Sequence, residues 1–143
     1  MRTIAAAFVL GALLAACGTI TVVQASRDWL SQSDFAHART VLIGDVRHAE
    51  SALRNTGSSA AALHTVCAVL LIDSESANAS LPSPDNQANT LLAATYASMG
   101  AGANTCYVAN ASVTLRTRAL GYLRESLAQL SFAFIRLHVA SGQ

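Results

Sequence analysis

Apolar residues recur at helical spacing through almost the whole chain, and this limits the fold more than any other feature. In the last segment, from about residue 112 to 140, Leu120, Leu123, Leu127, Leu130, Phe134 and Leu137 follow steps of 3, 4, 3, 4 and 3. Such a heptad seam brings all six side chains to one side of a helix. A first segment, from about Asp28 to Arg54, repeats the pattern with Phe35, Ala38, Leu42, Val46, Ala49 and Leu53. A second, about Ser59 to Ala79, turns Leu63, Val66, Cys67 and Leu70 inward, with Val69 and Ile72 on its other side. The third opens on Ser83 as N-cap with Pro84 and Asp85 after it, and its seam is Ala88, Leu92, Thr95, Met99, Gly102 and Cys106.

Loop residues separate these segments, at Asn55-Thr56-Gly57-Ser58-Ser59, Leu81-Pro82-Ser83-Pro84 and Asn110-Ala111-Ser112. No stretch alternates at period two. The expectation is an all-α fold, a four-helix up-down-up-down bundle after an N-terminal signal segment. With 143 residues, one domain follows the leader. Its bounds are 26–143, with 1–25 as leader and tether.

The leader sets the compartment. Arg2 precedes an uncharged apolar run over residues 3–16, the layout of a secretory signal. The run ends in Leu14-Ala15-Ala16-Cys17, followed by Gly18. This resembles the lipobox of bacterial lipoproteins. The resemblance implies lipidation of Cys17, cleavage just before it, and a membrane-anchored protein outside the cytoplasm. Two alternatives stand beside it. Val23-Gln24-Ala25 before Ser26 fits ordinary cleavage and secretion, and residues 3–25 left uncut could span a bilayer. The β-branched run Thr19-Ile20-Thr21-Val22-Val23 departs from the polar tether usual in lipoproteins.

Once Cys17 is lipidated or removed, Cys67 and Cys106 remain, and outside the cytosol they form one disulfide. In a hairpin centred on Pro82 the two differ by about nine residues in distance from the turn, over 13 Å at about 1.5 Å per residue. The bridge therefore calls for an early end to the second helix near Ile72, or a bend of the third at Gly100 and Gly102.

Nine arginines, no lysine and a net charge of +1 argue against nucleic acid as a partner. Residues 55–115 hold no arginine but carry Asp73, Glu75 and Asp85, while the last segment carries Arg116, Arg118, Arg124 and Arg136. This asymmetry fits attraction between neighbouring helices.

The chemistry-bearing motif is a repeated Asp-x-x-His, Asp34/His37 and Asp45/His48. The i, i+3 spacing sets each carboxylate beside its imidazole. The two pairs lie about 16 Å apart along a helix, so they cannot share a metal ion, and Glu50, Glu75 and Glu125 have no His three residues on. They are weak metal candidates and read as surface pairs. His64 and His138 read as helix residues, and Trp29 as a cap on the bundle end or a membrane-interface residue. No Gly-x-Ser-x-Gly elbow or phosphate loop is present, and no cofactor is implied.

Alanine richness, with Cys67, Asp73, Leu81-Pro82-Ser83-Pro84-Asp85, Tyr96 and Cys106-Tyr107, is similar to a pattern in small exported proteins and lipoproteins of actinobacteria. That likeness implies a helical exported domain and transfers no catalytic residue. The expectation is a non-enzymatic envelope lipoprotein that binds or scaffolds another envelope protein or a small ligand. The alternative is a small exported helical enzyme or metal-binding protein using the His and Asp residues of the first helix.

Overall fold

The computed structural model describes residues 20–143, all-helical and without a strand among them. The leader residues 3–16 and Cys17 lie outside the described residues. Five helices follow one another: α1 (Val22–Gln32), α2 (Phe35–Arg54), α3 (Ala60–Asn78), α4 (Asn86–Tyr107) and α5 (Val113–Ala140). α2 packs on α3, α3 on α4 and α4 on α5. α5 returns against α2, and α1 lies against α2 and α5.

The expected count of four is thus corrected to five. The first segment divides at Asp34, whose backbone is left-handed (φ 49°, ψ 33°). Asp is among the few non-glycine residues that tolerate this conformation, so no Gly or Pro marks the break. The turn lets Trp29 pack on Phe35, with ring centroids 5.7 Å apart, while its indole N–H donates to the Ser80 carbonyl at 3.1 Å. Trp29 therefore caps the end of the bundle. Residues 22–25, assigned from sequence to the leader and its tether, form the first turn of α1.

α4 starts two residues later than the Ser83-Pro84 signal suggests. Its N-cap is Asp85, whose carboxylate accepts from the Ala88 N–H at 2.8 Å. Ser83 instead donates its N–H to Asn89 Oδ1 and its hydroxyl to the Asp85 carbonyl.

The core runs through Leu42 and Val46, Leu63 and Leu70, Leu92 and Met99, and Leu123, Leu130 and Leu137, all at 1 % exposure or less. Fully burying each such side chain contributes about 1.5–3 kcal/mol. On α5 the buried line is Ala119, Leu123, Ser126, Leu130, Ala133 and Leu137, whereas Leu120, Leu127 and Phe134 are only partly buried. The seam is rotated by one position toward small residues because α4 lies close. A methyl group added at Gly102 of α4 would stand 2.7 Å from Leu123 Cδ2 and 3.1 Å from Leu123 Cγ.

Cys67 and Cys106 sit at disulfide distance, their Cα atoms 5.9 Å apart and both side chains fully buried. Neither device expected from sequence brings them there. α3 continues to Asn78, and α4 is unbroken through Gly100 and Gly102. Instead the helices are offset. Asn78, the last residue of α3, shares a cleft with Ala93, so α4 overshoots α3 by about 10 Å, or seven residues. Residues 79–85 cover that distance outside any helix.

Two measurements check this packing. Gly102→Ala should lower stability, by up to about 2 kcal/mol, because an overpacking cost of about 1–3 kcal/mol is only partly offset by a helix-propensity gain of about 1 kcal/mol. Gly121→Ala on the exposed side of α5, with nothing within 4 Å of the added carbon, should instead gain stability in the same denaturant titration. Thiol titration of unreduced, denatured protein should find neither Cys67 nor Cys106 reactive. Reduction should lower the melting temperature, since a bridge across 39 residues is worth about 4 kcal/mol in the chain-entropy model.

Candidate functional site

Where α3 stops short, a cavity of about 300 Å³ opens between the α1–α2 junction, α2, the last turns of α3 and α4. Asp34 and His37 of the first Asp-x-x-His pair line it, together with Asp73 and Ser76 of α3 and Tyr96 of α4. Phe35, Ala38 and Val41 supply its apolar wall. Asp34 reaches the cavity because its left-handed backbone places it between helices. It makes no side-chain capping bond to α2.

The second pair separates. His48 is exposed, and Asp45 turns across the α2–α3 interface toward Asp73. Burial pushes the Asp45 carboxyl up to about 6, reinforced by the hydrogen bond and charge it meets at Asp73 and opposed by His48. One Asp45 oxygen, Oδ2, is buried with no hydrogen-bond partner, as is the hydroxyl of Ser33 at the cavity edge. No hydrogen bond joins Asp34 to His37 or Asp45 to His48 among the described residues, so these are not the paired surface groups their spacing suggests. Among the described residues, no three His, Cys, Asp or Glu side chains converge to hold a metal ion.

Tyr96 was not singled out from sequence as a site residue. It is 4 % exposed, and desolvation raises its phenol to about 12. Its hydroxyl has no hydrogen-bond partner among the described residues. A phenol in phase with the apolar seam of a core helix, one position from Thr95, is the signal that could have pointed to it.

The remaining polar groups serve the frame. Asp85 receives a two-point ion pair from Arg136, Nε to Oδ1 at 2.9 Å and Nη2 to Oδ2 at 2.6 Å. With the Ala88 N–H this holds the Asp85 carboxyl below the usual range. Arg116 is buried. It donates to the carbonyls of Asn110 at 2.6 Å, Leu53 at 3.1 Å and Asn55 at 2.8 Å, satisfying the end of α2. His64 stacks on Tyr107 at 4.2 Å, and His138 meets the edge of Phe134, whose face carries Arg39 at 4.3 Å. α3 is the one described helix long and apolar enough to cross a membrane, and its inner side forms part of the core.

Comparison with known proteins finds no matching family model, no matching curated protein and no matching solved structure.

The Asp45–Asp73 contact has a pH signature. The folded chain holds a proton on Asp45 up to about pH 6, whereas an unfolded Asp releases it near about 3.9. Between these values the folded state binds the extra proton, so this group makes stability fall as pH rises and then level off above 6. Asp85 acts in the opposite sense, its contribution being lost only as pH drops below the ordinary carboxylate range. Asp45→Asn should therefore raise the melting temperature at pH 7, with the gain shrinking toward pH 4.5.

Proposed function

We propose that this chain is an extracytoplasmic lipoprotein, held to a membrane by lipid on Cys17, that serves the cell envelope as a non-enzymatic binding or scaffolding module. The order Arg2, apolar run, Leu14-Ala15-Ala16-Cys17 supports the leader. In this reading α2–α5 form an antiparallel four-helix bundle and α1 is an added element joining it to the tether.

The start of α1 supports cleavage before Cys17 over cleavage after Ala25. Thr21 is the N-cap, its hydroxyl accepting from the Gln24 N–H at 3.2 Å. Ser26 is fully buried, and Arg27 donates to the Ser141 carbonyl at 2.8 Å beyond the end of α5. Cleavage before Cys17 leaves all of this whole. Cleavage after Ala25 would remove the cap, worth about 1 kcal/mol, along with the first turn of α1. With cleavage before Cys17, two or more acyl chains on that residue would hold the protein firmly, where one binds only marginally. The partner expected is another envelope component rather than nucleic acid.

Cys17→Ser should move the protein from the membrane fraction to the medium or leave it as an unprocessed precursor. Mass spectrometry of the wild-type N-terminal peptide should show a lipid-modified Cys17. A soluble wild-type protein beginning at Ser26 would overturn this function.

A further inference from the structure

The outward side of α5 changes character along its length. Gly121, Glu125, Ala128, Phe132, Ile135 and Val139 recur at steps of 4, 3, 4, 3 and 4, so they share one exposed face, opposite the buried Leu123, Leu130 and Leu137. Near Glu125 that face is charged and flanked by Arg118 and Arg124. Over the last three turns it is uncharged, the neighbouring Arg136 being turned to Asp85. There Phe132, Ile135 and Val139 stand 62 %, 56 % and 61 % exposed. Single exposed apolar side chains are ordinary, but a contiguous run marks a surface that meets something.

The apolar end of this face is the end that meets α1. The Gly142 N–H donates to the Val139 carbonyl at 3.1 Å, and a carbon added at Gly142 would stand 3.6 Å from Val23 Cγ1. Val22 and Val23 are exposed as well. Only Gly18, Thr19 and Ile20 separate Cys17 from Thr21, the α1 N-cap. Four residue steps span at most about 14 Å, so lipid on Cys17 draws this pole down to the headgroups. A helix seam between two copies would have no reason to stop halfway along α5, whereas a surface approached from one end does.

We infer that the start of α1 and the last three turns of α5 form a membrane-contact face, with Val22, Val23, Phe132, Ile135 and Val139 entering the boundary between lipid headgroups and acyl chains. The contact depends on the reading that Cys17 carries lipid. From Phe132 to Val139 is about 10 Å along the helix, and apolar faces sink about 5–10 Å into that boundary. Upright insertion as far as Phe132 would drag Arg27 and Asp28 below the headgroups, so the bundle leans toward α5. Tyr107, Val108 and Val113 are also exposed, but they lie at the far pole and serve as the comparison.

The test uses the lipidated full-length chain in vesicles of phosphatidylethanolamine and phosphatidylglycerol that carry a phospholipid with a diazirine on its acyl chain. After irradiation, peptide mass spectrometry should find adducts on Phe132, Ile135 and Val139 about five-fold or more above those on Tyr107, Val108 and Val113, some 40 Å away along α5. Phe132→Gln combined with Ile135→Gln should bring labelling of residues 125–139 down to the far-pole level. The melting temperature should not move, and the chain should stay with the vesicles, because its acyl chains alone hold it. The same digest reports the N-terminal peptide. A lipid-free Cys17 would overturn the anchor and this contact together. A lipidated Cys17 with adducts confined to residues 17–27, or equal at the two poles, would overturn the contact and leave the anchor standing. So would cross-links between copies through Phe132 or Ile135 in place of lipid adducts.

Discussion

The offset between α3 and α4 is the constraint on which the rest of the architecture depends. With Cys67 set against Cys106, α4 must run about two turns past the end of α3. The exposed flank of α4 and the ends of α2 and α5 then need another cover. α1 packs on α2 and α5, and residues 79–85 climb beside α4. The Trp29 bond to Ser80 joins those two pieces. Asp85, carried to the top of α4, meets Arg136 near the end of α5. The cavity is the space this arrangement leaves unfilled beside the last turns of α3, with Tyr96 of α4 on its border.

Charges are used in two ways. Arg136 meets a carboxylate across a helix pair, as the uneven distribution of charge along the sequence implies. Arg116 meets none. Its guanidinium fork is spent on main-chain oxygens at the end of α2 and beside the start of α5, where orphan carbonyls concentrate partial negative charge. The two arginines serve opposite poles, Arg136 where α4 starts and α5 finishes, and Arg116 where α2 finishes and α5 starts.

Much of the helical plan was legible in the sequence. The seams of the four segments run at helical spacing, loop residues stand between them, and Cys67 and Cys106 lie on inward faces. These signals are local, and burial reinforces them. Three features escaped for physical reasons. The break at Asp34 depends on Trp29 finding Ser80 and Phe35, contacts that no spacing encodes. The rotation of α5 toward Ala119, Ser126 and Ala133 follows from the closeness of α4 at Gly102, where small residues weigh more than large ones. At the cavity, the sequence drew attention to Asp34, His37, Asp45 and His48 through i, i+3 spacing. The partner that matters to Asp45 is Asp73, brought across by helix register rather than chain proximity.

The contact between Arg27 and Ser141 places the start of α1 beside the finish of α5. Both ends of the described chain therefore emerge at the same pole, next to the cavity. α5 has 28 residues, about 42 Å at about 1.5 Å per residue. Any tether at the N-terminal side holds the molecule by that pole, and the turns around residues 55–59 and 108–112 stand off at the other. Reach is thus written into the topology: what the cavity meets is close to the point of attachment, and what the distal turns meet is some four nanometres away.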